Sequence, residues 1–518
     1  MRSPSRRFAG WIAGGTLVGF GLAVCDGPAP AGWLAYLVIG FAAGVGCGWI
    51  WRQITGGAPA RGLLAAFLLG LLLRLAVGSA WIQLLPTYGN DVVHHRQGFF
   101  FPDAFERDRS AWAIGRTETS LTDAFDSGKG DQYGTLLFLT ATVYRVFGPQ
   151  VDSTVLPTAV AAVFGALAVV FTWGFARRSF GGRVASISAW VIALYPEAII
   201  LGSQPMREPY IMAGTAAAFH GYACLGEGGS RAGAGWILAG SLLNLAISPP
   251  FGVATGLLIG LAWIWERGAR RRSARWVAVG VGGLLLLAAV LTVRAWSGLP
   301  GSPSGPAGAV ANWFSGVEFE LHKLQLASGW IQDIFGRTPA WAHVPLATLY
   351  GMVQPFLPAA LMDNSGVVLM RVVMVLRALG WFALLPILLY APWTALRVTG
   401  WRSLATYLTV VALLSALLIS YRFAGDQWDS PRYRAALLPV AAVLFGWAWE
   451  SARRRRDFWL AWCYVLVGVE TAVMSWWYAG RYYHFPRLSL YRTFAIAALS
   501  GAALFVGGLW YGRKHRST

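Results

Sequence analysis

Apolar runs of about 15–24 residues recur along almost the whole chain, and the short polar connections between them are rich in arginine. A helix of that length crosses about 30 Å of hydrocarbon. In lipid, a backbone satisfies its own amides and carbonyls only in helices or closed barrels, which narrows the choice of fold sharply. Composition points the same way. Of 518 residues, 56% are hydrophobic and 13% charged, and the mean hydropathy is +0.52. A water-soluble domain could not bury that much apolar surface. The fold class expected is therefore all-α, a polytopic membrane protein with about 14 transmembrane helices.

The runs place crossings near 8–24, 32–51, 62–85, 153–176, 183–201, 209–225, 235–248, 251–265, 276–296, 378–396, 403–420, 434–450, 459–478 and 493–512. Arginine clusters then set the orientation, because short cytoplasmic loops collect Lys and Arg. Arg2, Arg6 and Arg7 put the N-terminus inside; RRSFGGR (177–183), RRRR (453–456) and RKHR (513–516) mark later inner loops. Both termini come out cytoplasmic in the plasma (inner) membrane. A net charge of +19 would suggest nucleic acid in a soluble protein. Here inner-loop arginine accounts for it, and no nucleic acid partner is expected. The four cysteines sit in or beside apolar runs without CxxC spacing and read as small buried hydrophobes.

Between the third and fourth crossings lies a polar stretch, 86–152, which the orientation puts outside. It carries Asp91, Asp103, Glu106, Asp108, Glu118, Asp123, Asp126 and Asp131, eight of only 23 acidic residues. Within it, GTLLFLTATVYRVFG (134–148) is too short to cross and carries Arg145, so it is expected to be a half-depth helix on the outer face. A second long outer segment, 297–376, opens with the linker SGLPGSPSGPAG. It later becomes too apolar for a free loop (LYGMVQPFLPAALMD), so that part lies in the interface or re-enters.

Three carboxylates stand out as candidates for chemistry. Asp103, in FPDAFERDRSAW, follows a proline and precedes Glu106 by three, the spacing of a capping box. A carboxylate facing a membrane cavity also suits a general base, and the two roles are compatible. Asp91, in YGNDVVHH, could share a helix face with His95 and offers metal-capable neighbours, though no third spaced ligand follows. Glu208, in SQPMREPY, reads as a helix-start carboxylate with Pro209 at the first helical position, on the same side as Asp103. On that side too lie Arg207, Lys129 and the arginines of YRFAGDQWDSPRYR (Arg422, Arg432, Arg434) and RYYHFPRLSLYR (481–492). These are either headgroup-seeking side chains or a cradle for a phosphate, which Arg's planar fork suits.

Taken together, PDAFERDRSAW, YGTLLFLTATVYRVFGP, ARRSFGGRVASISAWVIALYP and SQPMREPY resemble the integral-membrane C-type (GT-C) glycosyltransferases. The branch they look most like is the protein mannosyltransferase and aminoarabinose lipid A transferase branch. The similarity is good over 62–225 and looser afterwards; spans 1–57 stand outside it as an N-terminal extension to a core of 58–518. The resemblance implies a membrane enzyme that moves a sugar from a polyprenyl-phosphate carrier to a lipid, glycan or protein acceptor on the extracytoplasmic face. It makes Asp103 the base of the first outer loop and Glu208 an acidic neighbour of the site, sometimes beside a metal in relatives, so a divalent metal is the one cofactor the resemblance allows for. Where relatives carry a phosphate-contacting lysine before the half-depth helix, this chain has Gln132, with Lys129 three residues away. Two other functions share the same features: a polysaccharide polymerase or ligase, and a non-catalytic membrane subunit of a larger complex.

Overall fold

The computed structural model describes residues 4–26, 30–58, 60–126, 130–147, 154–226, 230–267, 305–364 and 366–514. Every regular element among the described residues is a helix, and the chain is an all-α polytopic membrane protein. It divides into two units. One holds residues 1–312 with 435–443, the other 313–434 with 444–518.

The first unit begins with a two-helix hairpin, α1 (Pro4–Asp26) and α2 (Pro30–Thr55). Their contact is made by glycine: a Cβ at Gly15 or Gly40 would run into the backbone of the opposite helix. Such small-residue faces let helices approach closely where lipid offers no hydrophobic drive. α3 (Arg61–Tyr88) follows, then the short elements α4 (Val93–Arg96), α5 (Pro102–Arg116), a 3-10 turn (Leu121–Phe125) and α6 (Thr135–Phe147). The remaining helices are α7 (Val155–Phe180), α8 (Gly182–Leu194), α9 (Pro196–Gly202), α10 (Glu208–Gly226), α11 (Ser230–Ile247) and α12 (Pro249–Arg267). α7 and α10 are buried along most of their length and form the centre of this unit. α1 and α2, by contrast, expose Leu17, Phe20, Leu34 and Phe41, as lipid-facing helices do.

α8 and α9 meet at a bend of 55°. Pro196 has no N–H to continue the helix, and Tyr195 before it is extended, as a residue preceding proline tends to be. The bend turns the chain toward α5 and sets the stretch before α10 against it.

The second unit contains most of α13 (Gly305–Ala327), then α14 (Gly329–Arg337), α15 (Ala340–Met352), α16 (Leu357–Met362), α17 (Val368–Thr399) and α18 (Leu404–Arg422). α19 (Asp429–Ala435) and α20 (Leu438–Arg455), whose residues 435–443 belong to the first unit, form a pair bent by 75°, and α21 (Trp459–Tyr482) and α22 (Leu490–Lys514) close the chain. The apolar segment around Pro355 makes two short helices, of 13 and 6 residues, neither long enough to cross.

Of the fourteen expected crossings, eight are single helices long and apolar enough to span: α1, α2, α3, α7, α17, α18, α21 and α22. Two more are the bent pairs α8–α9 and α19–α20. Three, α10 to α12, are helical but shorter or less apolar. The crossing at 276–296 lies outside the described residues, as do Lys129 and the start of the 297–376 segment. The short helix expected over 134–148 is present as α6, 13 residues long.

Candidate active site

The short elements between α3 and α7 are knit around α5. Its start differs from the capping box expected. Pro102 occupies the first helical turn, where its missing N–H costs nothing and its fixed φ fits, so the cap falls on Phe101 and Asp103 lies inside the helix. Asp103 is half-buried and favours the helix dipole as a first-turn acid, while Glu106 is exposed. Gln204 takes over the missing cap. Its Oε1 accepts from the Phe101 amide at 3.1 Å, and its Nε2 donates to the Gly98 carbonyl at 3.4 Å.

One turn beyond Asp103, on the same face of α5, Arg107 is buried with 2% exposure. Its Nη1 donates to the Pro205 carbonyl at 2.7 Å, and its Nε stands 3.6 Å from Asp131 Oδ1. Burial pushes the Arg107 guanidinium below its usual pKa. Asp131 opposes that most strongly, Arg207 adds to it, and Asp103 and Glu208 oppose it. Asp103 and Glu208, far apart in sequence, are linked through Arg107, which lies one turn from Asp103 and is bonded to Pro205, three residues before Glu208. Glu208 opens α10, with Pro209 second rather than first, and is itself buried. The Arg207 guanidinium lies over the Tyr133 ring, 5.4 Å from its centre.

Much of the remaining acidity in this loop holds structure together. Asp131 Oδ2 also accepts from the Leu137 amide at 3.4 Å, in the first turn of α6. Asp108 accepts from the Tyr144 hydroxyl at 2.7 Å. Arg145, the residue that argued against a crossing here, reaches back to the carbonyls of Ile114, Thr117 and Thr119 at 2.5–2.8 Å and closes the end of α5. Gly130, at φ +78°, lets the connecting loop lie against the Glu106 carbonyl, where a Cβ would stand only 2.8 Å away.

Asp91 does not join this group. It precedes α4 instead of sharing a helix face with His95, because the helix begins only at Val93. It pairs at the surface with Arg96, whose Nε donates to it at 2.9 Å. His95 turns inward and accepts the Asn90 amide on Nδ1 at 2.8 Å. Among the described residues no three His, Cys, Asp or Glu side chains converge as a ligand set.

The other arginines belong to the second unit. Arg434 is committed to backbone: its guanidinium donates to the carbonyl of Gln354, faces those of Gly351 and Met352, and stacks 3.8 Å from the centre of Trp381. Arg432 is buried, with Asp429 at 3.8 Å. Arg422 ends α18 and packs against Gly316, where there is no room for a Cβ. Within the same unit Asp426 accepts the amides of Trp428 and Asp429, both at 2.7 Å, and pairs with Lys323 at 2.9 Å.

Sequence reasoning did not single out Arg107 or Gln204. Arg107 could have been found from its spacing to Asp103, since residues four apart share a helix face. Gln204 carried no local signal, because its partner amide is 103 residues away.

No sequence family and no curated protein matches the chain. Solved structures do. An archaeal oligosaccharyltransferase, AglB from Archaeoglobus fulgidus, in complex with an inhibitory peptide and a dolichol-phosphate, aligns at 16% identity and a TM-score of 0.42, over 86% of this chain and 55% of that one. The Archaeoglobus fulgidus oligosaccharyltransferase in its apo form aligns at 14% identity and 0.41, over 85% and 55%. The same enzyme's complex with Zn and sulfate aligns at 15% and 0.41, over 79% and 52%. The chain therefore spans about half the length of these solved structures.

Proposed function

We propose that this protein is a membrane glycosyltransferase of the GT-C type, moving a sugar from a polyprenyl-phosphate carrier to an acceptor hydroxyl at the extracytoplasmic face of the plasma membrane. The observation that carries the reading is the buried Arg107, one turn from Asp103 on α5 and bonded to the Pro205 carbonyl three residues before Glu208. This is a grouping of acid and cation on the short elements of an apolar helical protein. The motif resemblance supplies the reaction class.

In this reading Asp103 takes the acceptor's proton as the hydroxyl oxygen attacks the anomeric carbon. The bond from that carbon to the phosphate oxygen breaks, and the carrier departs as polyprenyl phosphate. Arg207 offsets the negative charge that grows on the departing phosphate. Glu208 and Asp131 hold Arg107 charged, and Arg107 fixes the turn at Pro205 from which Arg207 and Glu208 project. Both termini lie in the cytoplasm in this arrangement. Arg422 and Arg432 are separate candidates for lipid phosphate within their own unit.

The test uses the purified full chain in detergent, a polyprenyl-phosphate-linked sugar and a hydroxyl acceptor. Asp103→Asn should lower transfer by roughly 10²–10⁴-fold, the range for a lost general base. Asp91→Asn should leave transfer near the wild-type rate. Wild-type turnover by Asp103→Asn, or no transfer by the unmodified protein from any such donor, would overturn the reading.

A further inference from the structure

The two ends of α21 are both rich in arginine, but they are built differently. At the end shared with α20, Arg453 and Arg454 both pair with Glu450, at 3.1 and 2.6 Å. At the other end, the connection from α21 to α22 brings Arg481, Arg487 and Arg492, and among the described residues none of the three has an ion-pair partner within 4.0 Å. Nearby Arg337, in contrast, pairs with Asp333 at 3.0 Å. Asp333 also reaches this end, accepting from the Tyr491 hydroxyl at 3.3 Å.

The arginines are also brought together. After α21 the chain folds back along the last turn of the helix. Trp476 Nε1 donates to the Pro486 carbonyl at 3.1 Å, and Arg487 packs over Gly480, where a Cβ would collide with its side chain. This places the guanidinium of Arg487 5.9 Å from the centre of Trp477 and that of Arg481 6.0 Å from the same ring. Gathering like charges without a directly paired counter-charge is unfavourable unless an anion completes the group. The turn itself, 483–489, is exposed throughout, with Tyr483, Phe485 and Leu488 outward. It joins two helices long and apolar enough to cross. It therefore lies at the membrane–water interface, where aromatic rings settle and arginines meet headgroups.

We propose that the α21–α22 turn is a binding site for an anionic phospholipid. Arg481 and Arg487 hold the headgroup phosphate beside Trp477, Arg492 adds to the field, and the exposed aromatic and apolar side chains of the turn enter the acyl boundary. The site is a lipid anchor, independent of the transfer chemistry proposed for Asp103.

The experiment measures lipid retention by native mass spectrometry, and thermal unfolding, of the full chain titrated with phosphatidylglycerol, phosphatidylcholine, a polyprenyl phosphate and inorganic phosphate. Phosphatidylglycerol should bind best and raise the unfolding temperature. An interfacial arginine contributes about fivefold in affinity, so Arg481→Gln with Arg487→Gln should weaken binding by about 25-fold. Arg481→Lys with Arg487→Lys should restore most of it, which controls for folding, and Arg453→Gln at the opposite end should have no effect. Equal retention of phosphatidylcholine, unchanged binding by the double glutamine variant, preference for polyprenyl phosphate, or full stabilisation by inorganic phosphate alone would each overturn the proposal.

Discussion

Arg74 Nη2 donates at 3.2 Å to the carbonyl of Ile192, the acceptor that Pro196 leaves without its intrahelical donor. A break in an apolar helix strands such a carbonyl where no water can reach it. Here a wholly buried guanidinium on α3 supplies the missing donor, and its Nη1 is tied to its own helix through the Gly70 carbonyl at 2.7 Å. The bend that turns the chain toward Gln204, Arg207 and Glu208 is thus secured from a neighbouring helix.

The room for Arg74 comes from glycine. A Cβ at Gly165 would stand 2.6 Å from Arg74 Nε, and one at Gly202 2.7 Å from its Cδ. Gly165→Ala should therefore destabilise the protein by about 1–3 kcal/mol, the range for an overpacked core. In an Arg74→Ala background the same change should cost far less, since the colliding atoms are gone. Chemical unfolding in detergent of the four proteins measures the coupling; equal costs in the two backgrounds would show that Arg74 does not fill this space.

Arg107 and Asp131 form a buried pair whose side chains are 3% and 1% exposed. Removing one member strands the other's charge, which typically costs about 3–5 kcal/mol, whereas replacing both with apolar residues of similar size is often near neutral. Asp131→Ala should lower stability by that amount, and Arg107→Met with Asp131→Leu should recover most of it. Comparable losses in the single and double variants, by unfolding in detergent, would mean that packing rather than charge holds this joint.

How much of this could be read from sequence depends on the range of the interaction. Apolar length located the helices, and the run 134–148 forms the short helix expected of it, 13 residues long. The cap at Asp103 was misplaced by one proline, because Pro102 claims the first turn and shifts the register. Pro196 was visible in a run taken as one crossing, but the bend it makes needs a donor from α3 that no local pattern announces. The Arg107 bond to Pro205 spans 98 positions, and the acids concentrated in 86–152 divide into structural pairs and a smaller group near Arg107.

A pH effect should appear at the turn before α5. Burial holds the His95 pKa below its ordinary value, and His94 is lowered by burial and by His95. A base depressed in the folded state binds its proton more readily when unfolded. The stability it contributes is therefore present above about pH 6.5, the ordinary histidine value, and is lost as pH falls below it. Protonation of Nδ1 also removes the acceptor of the Asn90 amide. Hydrogen exchange at residues 89–98 should quicken between pH 7.5 and 5.5, and His95→Gln should flatten that dependence. Exchange that is insensitive to pH in the unmodified protein would refute the link.

Gln204 offers the sharpest separation of support from chemistry. Its side chain bridges the Phe101 amide and the Gly98 carbonyl, and so fixes the start of α5 one turn from the Arg107 joint. Gln204→Ala leaves a buried amide without an acceptor, a loss of about 1–3 kcal/mol. Gln204→Glu keeps the acceptor and removes only the donor, so it should recover much of the stability. If the clamp also positions Asp103, Gln204→Ala should lower kcat while leaving KM for the lipid-linked donor nearly unchanged, with Gln204→Glu intermediate. Asp103→Asn should instead lose turnover with little loss of stability, because a first-turn acid contributes only about 0.3–1 kcal/mol through the helix dipole. A Gln204→Ala protein that is less stable yet turns over at the wild-type rate would confine Gln204 to holding the fold.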